Sequence, residues 1–138
     1  MEFDLDLAVK QDSDNPLYYC QYAHARICSL LAKIEAEGIA VPETADLTVL
    51  NEAEELALVK QISLLPEEIT AAAAERDPSR LNKYAVALCA QFHRFYNACR
   101  IKEAEETVRD ARLVLCRAAR QTIYNVLSII GVEAPEHM

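Results

Sequence analysis

Asp77-Pro78-Ser79-Arg80-Leu81-Asn82-Lys83-Tyr84-Ala85-Val86-Ala87-Leu88-Cys89-Ala90-Gln91-Phe92-His93-Arg94-Phe95-Tyr96-Asn97-Ala98-Cys99-Arg100 decides the fold. At about 100° per residue, Leu81, Ala85, Leu88, Phe92, Phe95 and Cys99 fall on one stripe, the pattern of a helix with one face in a core. Tyr96 lies at the edge of that stripe. His93, Asn97 and Arg100 continue around the same side at i, i+3, i+4, i+7 spacing, so one surface carries all four.

The rest of the chain divides the same way. Asp14 or Asn15 can cap a helix that carries Pro16 at its first position, where the missing N–H costs nothing. This helix is expected to stop at Gly38. Its apolar stripe is Tyr19, Ala23, Ile27, Leu30 and Ile34, with Tyr18, Tyr22, Arg26, Ser29 and Lys33 on the adjacent edge. Residues 39–50, with Pro42, read as a loop. Asn51-Glu52-Ala53-Glu54 has the pattern of an N-cap followed by a glutamate at the third helical position. A short helix follows to about Leu64, and Pro66 opens another to about Glu75. A last helix is expected from about Glu103 to Ile130, with Val108, Ala111, Leu115, Ala118, Thr122, Val126 and Ile129 inside and Arg109, Arg117 and Arg120 outside. Gly131 suits the residue after its end. Residues 1–13 read as an irregular leader with the alternation Phe3-Asp4-Leu5-Asp6-Leu7. The expectation is an all-α bundle of about five helices over residues 16–138, preceded by a leader over residues 1–15.

Composition bounds the function. Hydrophobic residues make up 52% of the 138 positions and only two glycines are present, which suits a compact helical domain with a real core. Five cysteines without tight pairing spacing point to a reduced, cytoplasmic protein. The acidic start Met1-Glu2-Phe3-Asp4 is followed by no signal-peptide apolar region, and no apolar run approaches the roughly 20 residues that span a bilayer. The net charge of −8 conceals an asymmetry: residues 1–75 carry −11 and residues 76–138 carry +3. Screening limits the field to about 8–10 Å, so the local balance governs contact with a polyanion.

Unpaired bases expose π-faces that aromatic rings and guanidinium planes stack on, and edges that Asn, Gln and Arg read. Tyr22, Arg26, Tyr96, Asn97 and Arg100 supply these side-chain types along two helix edges. The alternative for a rim tyrosine is a boundary core residue whose hydroxyl reaches water. Cys20/His24 and Cys89/His93 have the i, i+4 spacing of a shared metal, but small buried cysteines explain them better, and no metal is expected. His24 lacks a nucleophile or carboxylate partner, so a bond to backbone or to a neighbouring helix is expected. The run Glu52, Glu54, Glu55 reads as a solvated helix face. No glycine-rich phosphate loop is present.

Four segments in order carry a family resemblance: Asn15–Arg26, Phe92–Arg100, Ala111–Arg120 and the tail Gly131–Met138. From about Phe3 to Met138 the chain resembles the C-terminal, DALR-type anticodon-binding domain of arginyl-tRNA synthetases. The resemblance implies a piece of a longer ligase whose ATP, Mg and arginine sites lie in an upstream catalytic domain, leaving no cofactor and no catalytic residue here. It implies an arginine tRNA as partner through the anticodon loop, the chain's own catalytic domain as a second, no membrane, and a monomer. In the family the positions matching Tyr22, Arg26, Tyr96 and Met138 lie at or near that loop. The usual ending has Arg before the final Met where this chain has His137, and Gly is frequent where Val126 stands. The competing class is a helical protein–protein interaction module without RNA binding.

Overall fold

The computed structural model describes residues 4–12 and 14–138; Phe3, where the leader's alternation and the resemblance begin, lies outside them. Among the described residues there are six α-helices, one 3-10 turn and no strand: α1 (Leu5–Val9), α2 (Pro16–Ala36), the turn Leu47–Val49, α3 (Ala53–Ser63), α4 (Leu65–Glu75), α5 (Ser79–Ala98) and α6 (Glu106–Ile130). The five expected bundle helices are α2 to α6. The leader departs from expectation. Asp4 accepts hydrogen bonds from the Asp6 and Leu7 amides at 3.0 and 3.1 Å and starts the short α1.

Asn15 joins leader to bundle. Its Oδ1 accepts from the Leu17 and Tyr18 amides, capping α2, and its Nδ2 donates to the Ala8 and Lys10 carbonyls. Such caps contribute about 1 kcal/mol. Gly131 takes φ +87° after α6, the left-handed conformation that closes a helix with no Cβ penalty. At α3 the cap sits one residue later than expected. The Glu52 amide donates to Glu55 Oε1 at 2.9 Å, so Glu52 and Glu55, not Asn51 and Glu54, form the reciprocal pair.

Helix α5 lies at the centre, packed against α2, α3, α4 and α6. Every residue of its expected stripe is buried, and Leu88, Phe92 and Phe95 meet Ile27, Leu58, Leu113, Ile123 and Leu127 in one core. Two other stripes shift. On α2, Cys20 and Leu31 are buried, whereas Tyr19 and Leu30 are only partly covered. On α6 the buried arc is wider than expected and takes in Leu113, Cys116, Ala119, Ile123 and Leu127, while Ile129 is 51% exposed. The cause is that α6 touches α2, α3 and α5 at once. Arg109, Arg117 and Arg120 consequently lie half-buried rather than outside, and Arg117 Nη1 donates to the Pro42 carbonyl at 2.7 Å. Glu55 overturns the solvated-face reading: it is 1% exposed and pairs with Arg112 Nε at 2.8 Å. A carboxylate is buried only when paired and hydrogen-bonded.

Candidate nucleic-acid interface

The packing of α2 on α5 brings two of the predicted edges together. The Arg26 guanidinium carbon stands 5.0 Å from the centroid of the Tyr96 ring. The buried Phe92 ring lies 6.1 Å from the Tyr96 ring and within 19° of parallel. Arg26 Nη1 donates to His93 Nδ1 at 3.4 Å, and the His93 ring lies 5.5 Å from Tyr19. A half-buried tyrosine therefore rests on the core and carries an exposed guanidinium. A cation over a ring contributes about 0.5–1 kcal/mol at an exposed site. The greater effect is that both planes are held before any ligand arrives.

The groove continues past Tyr96 to Lys33, Arg100 and Lys102, with Glu37 and Glu103 on its rim. Lys102 is already paired: its Nζ lies 2.5 Å from Glu37 Oε2, which raises the lysine's pKa and lowers the carboxylate's. Among the described residues Arg26, Lys33 and Arg100 have no carboxylate within ion-pair distance. Three open cations and an aromatic ring line this concavity, a set suited to an unpaired, anionic strand.

The other predicted residues are placed differently. Tyr22, 48% exposed, stands one helical turn before Arg26 on the same edge. Asn97 is exposed next to Tyr96 but does not line the groove. The tail runs along a different flank of α2, towards α6. Gln21 Nε2 donates to the Glu133 carbonyl at 2.9 Å and His24 Nδ1 to the Pro135 carbonyl at 2.9 Å. The carbonyl only accepts, so Nδ1 carries the proton, and the expected backbone bond of His24 is found. Glu136 and His137 lie beside Cys28, Arg117 and Arg120, and Met138 ends the tail 54% exposed. The structure thus unites Arg26, Tyr96 and Arg100 and sets Met138 apart from them. Sequence reasoning puts Lys33 on the edge without making it a site residue, although its spacing of seven from Arg26 supplies the signal. Lys102 lies outside any helix, where periodicity has no reach.

The sequence matches the DALR anticodon binding domain over residues 20–138. The chain belongs to that family. It is 49% identical to the arginine–tRNA ligase of Acetivibrio thermocellus over 140 residues, covering 100% of this chain and 25% of that protein. A structure described as an arginyl tRNA synthetase from Campylobacter jejuni superposes with a TM-score of 0.85 at 31% identity, over 100% of this chain and 30% of that one. The Thermus thermophilus arginyl-tRNA synthetase gives 0.82 at 31% identity, over 100% and 24%. This DALR domain spans about a quarter of the length of the curated relatives it matches. Among its described residues no group of three or more His, Cys, Asp or Glu is arranged for a metal, and no helix is long and apolar enough to cross a membrane.

The DALR domain has a titrating imidazole, His93, against Arg26 beside the groove. Burial, and then the adjacent Arg26 charge, push the His93 pKa below its ordinary 6.5. The folded state thus prefers neutral His93. Its contribution to stability is complete above pH 6.5 and is lost as pH falls from there towards the depressed folded value. Protonation also removes the acceptor for Arg26 and sets two cations side by side. Thermal melts from about pH 7.5 down to about pH 5 are expected to show an acid-side loss that His93→Gln reduces. An identical pH profile in the variant would assign the loss to other groups.

Proposed function

We propose that this DALR domain recognises the anticodon stem-loop of an arginine tRNA on behalf of an arginine–tRNA ligase. In this reading the arginine, ATP and Mg sites belong to a catalytic part outside the chain. Residues 1–15 are the end of that part and residues 16–138 the RNA-binding bundle, working as a monomer in the cytoplasm. The observation that carries the reading is the Arg26–Tyr96 pair, held on the core at 5.0 Å and open to solvent beside Lys33 and Arg100. The family and its ligase relatives supply the class of ligand.

The roles follow from side-chain chemistry. Tyr22 offers a face for an unstacked base, a contact of about 1–3 kcal/mol, and Tyr96, lying on Phe92 and under Arg26, holds the guanidinium plane in place for the same use. Arg26 and Arg100 hold phosphates or stack through their guanidinium planes. Asn97 offers an amide to a base edge from beyond the groove, and Met138 offers a soft apolar end on the other flank of α2. An RNA loop that used both flanks would straddle this helix.

The test is a titration of the 138-residue chain with a transcribed arginine tRNA and with a second, unrelated tRNA at several salt concentrations. The arginine tRNA should bind better, with affinity in the range of about 10⁻⁴–10⁻⁶ M given a net charge of −8. Three phosphate contacts to a single strand give a log–log salt slope of about −2. Deleting Met138 should leave the melting temperature unchanged and weaken the arginine complex. Equal affinity for both tRNAs without salt dependence would favour the protein-interaction class, and an unaltered affinity on deletion would make the tail inert.

A further inference from the structure

We infer that Arg112 is a positioning residue for the groove: anchored by buried Glu55, it holds the α5–α6 connection where Arg100 is presented to RNA. The inference rests on the functional reading given above. The connection between Ala98 and Glu106 contains no regular helix, yet it carries Arg100, Lys102 and Glu103 to one end of the groove. Three ties fix it. Ile101 is buried at 5% exposure. Lys102 reaches the end of α2 through Glu37 at 2.5 Å. Arg112 Nη1 donates to the backbone carbonyl of Arg100 at 2.5 Å.

The third tie is built from deep inside the bundle. Arg112 Nε donates to Glu55 Oε2 at 2.8 Å, and Glu55 Oε1 accepts the Glu52 amide at 2.9 Å. Both carboxylate oxygens are thereby engaged at the start of α3. The guanidinium is planar, so fixing Nε fixes the direction of the Nη1 arm. That arm ends on Arg100. One pair of side chains therefore links α3, α6 and the chain just beyond α5.

Stability alone is a poor account of this arrangement. Replacing a buried ion pair by apolar side chains of similar size is often neutral or favourable, whereas a planar fork can do what a methionine cannot: hold one loop carbonyl at a set place. The tether reduces the ordering that the loop must undergo when Arg100 meets a phosphate, which is the usual origin of affinity gained by preorganisation.

The test couples Glu55→Gln with Arg112→Met. The introduced amide can still accept the Glu52 N–H through its carbonyl oxygen, and the methionine fills the space of the arginine stem, so no unpaired buried charge remains. Amide hydrogen exchange at residues 99–105 is expected to accelerate about tenfold, while exchange in the α5 core is unchanged. Affinity for the arginine tRNA is expected to fall about three- to tenfold. In an Arg100→Ala background the same pair of substitutions should alter affinity by less than about twofold, because the group being positioned is gone. Arg112→Lys, which keeps a charge beside Glu55 and gives up the fork, should reproduce the loop effect and serves if the double variant does not fold. Unchanged exchange in the loop overturns the inference whatever the RNA does. So does faster exchange with wild-type affinity, or a loss that persists in full without Arg100. Faster exchange in a chain whose wild type shows no preference for the arginine tRNA supports the tether and overturns the functional reading instead.

Discussion

Phe92→Ala should remove about 3–5 kcal/mol of stability, the range for deleting a large aromatic from a packed interior. Phe92 is 1% exposed, and its ring lies 6.1 Å from those of both Phe95 and Tyr96. Helix α5 is packed on four neighbours, so the surrounding side chains have little room to close the space. Domains of this size are stable by about 5–15 kcal/mol, so the loss is a large part of the total. Urea unfolding should show a lower midpoint with an unchanged slope. A change below about 1 kcal/mol would mean that the bundle collapses into the vacancy and is less tightly packed at its centre than its burial indicates.

Tyr96→Ala and Arg26→Ala should show the opposite balance. Loss of one stacking partner costs about 1–3 kcal/mol of binding, roughly a five- to 150-fold drop in affinity for the arginine tRNA. Arg26 is exposed, and its contact with Tyr96 contributes about 1 kcal/mol or less to the fold. Tyr96 is half-buried against Phe92, so its removal costs more stability than that of Arg26 but less than that of Phe92. Tyr96→Phe keeps the ring and should keep most of the affinity. Melts and titrations run side by side decide the matter: a large stability loss with intact RNA binding would make Tyr96 and Arg26 parts of the core and its rim.

What is legible in the sequence follows the reach of local geometry. The α5 stripe can be read directly because a helix at the centre of a bundle buries one continuous row, and regularly spaced apolar residues from Leu81 to Cys99 mark it. Asn15, Pro16 and Gly131 announce the ends of α2 and α6 because capping is decided within a few residues. The α6 stripe read from spacing is too narrow, since periodicity locates a face but not how many neighbours cover it. Glu55 escapes for the same reason. Nothing near it in sequence distinguishes it from Glu52 and Glu54, and its partner Arg112 lies 57 positions away. In the candidate interface, wheels put Tyr22, Arg26 and Lys33 on one edge and Tyr96 and Arg100 on another. Only the packing of α2 on α5 shows that Arg26 and Tyr96 touch, and that the tail follows a separate flank.

The clasp of the tail on α2 has a consequence for how the chain is made. Gln21 and His24 find their partners only at Glu133 and Pro135, more than a hundred positions later. At about 5–20 residues per second, the ribosome takes roughly 5–20 s to supply them after α2 has been synthesised. A helix forms in about a microsecond. The apolar face of α2 can be covered once α5 has been made, but the flank that carries Gln21 and His24 stays open until the tail arrives. Substitutions that weaken the clasp should lower the yield of soluble protein in the cell before they measurably change the finished fold.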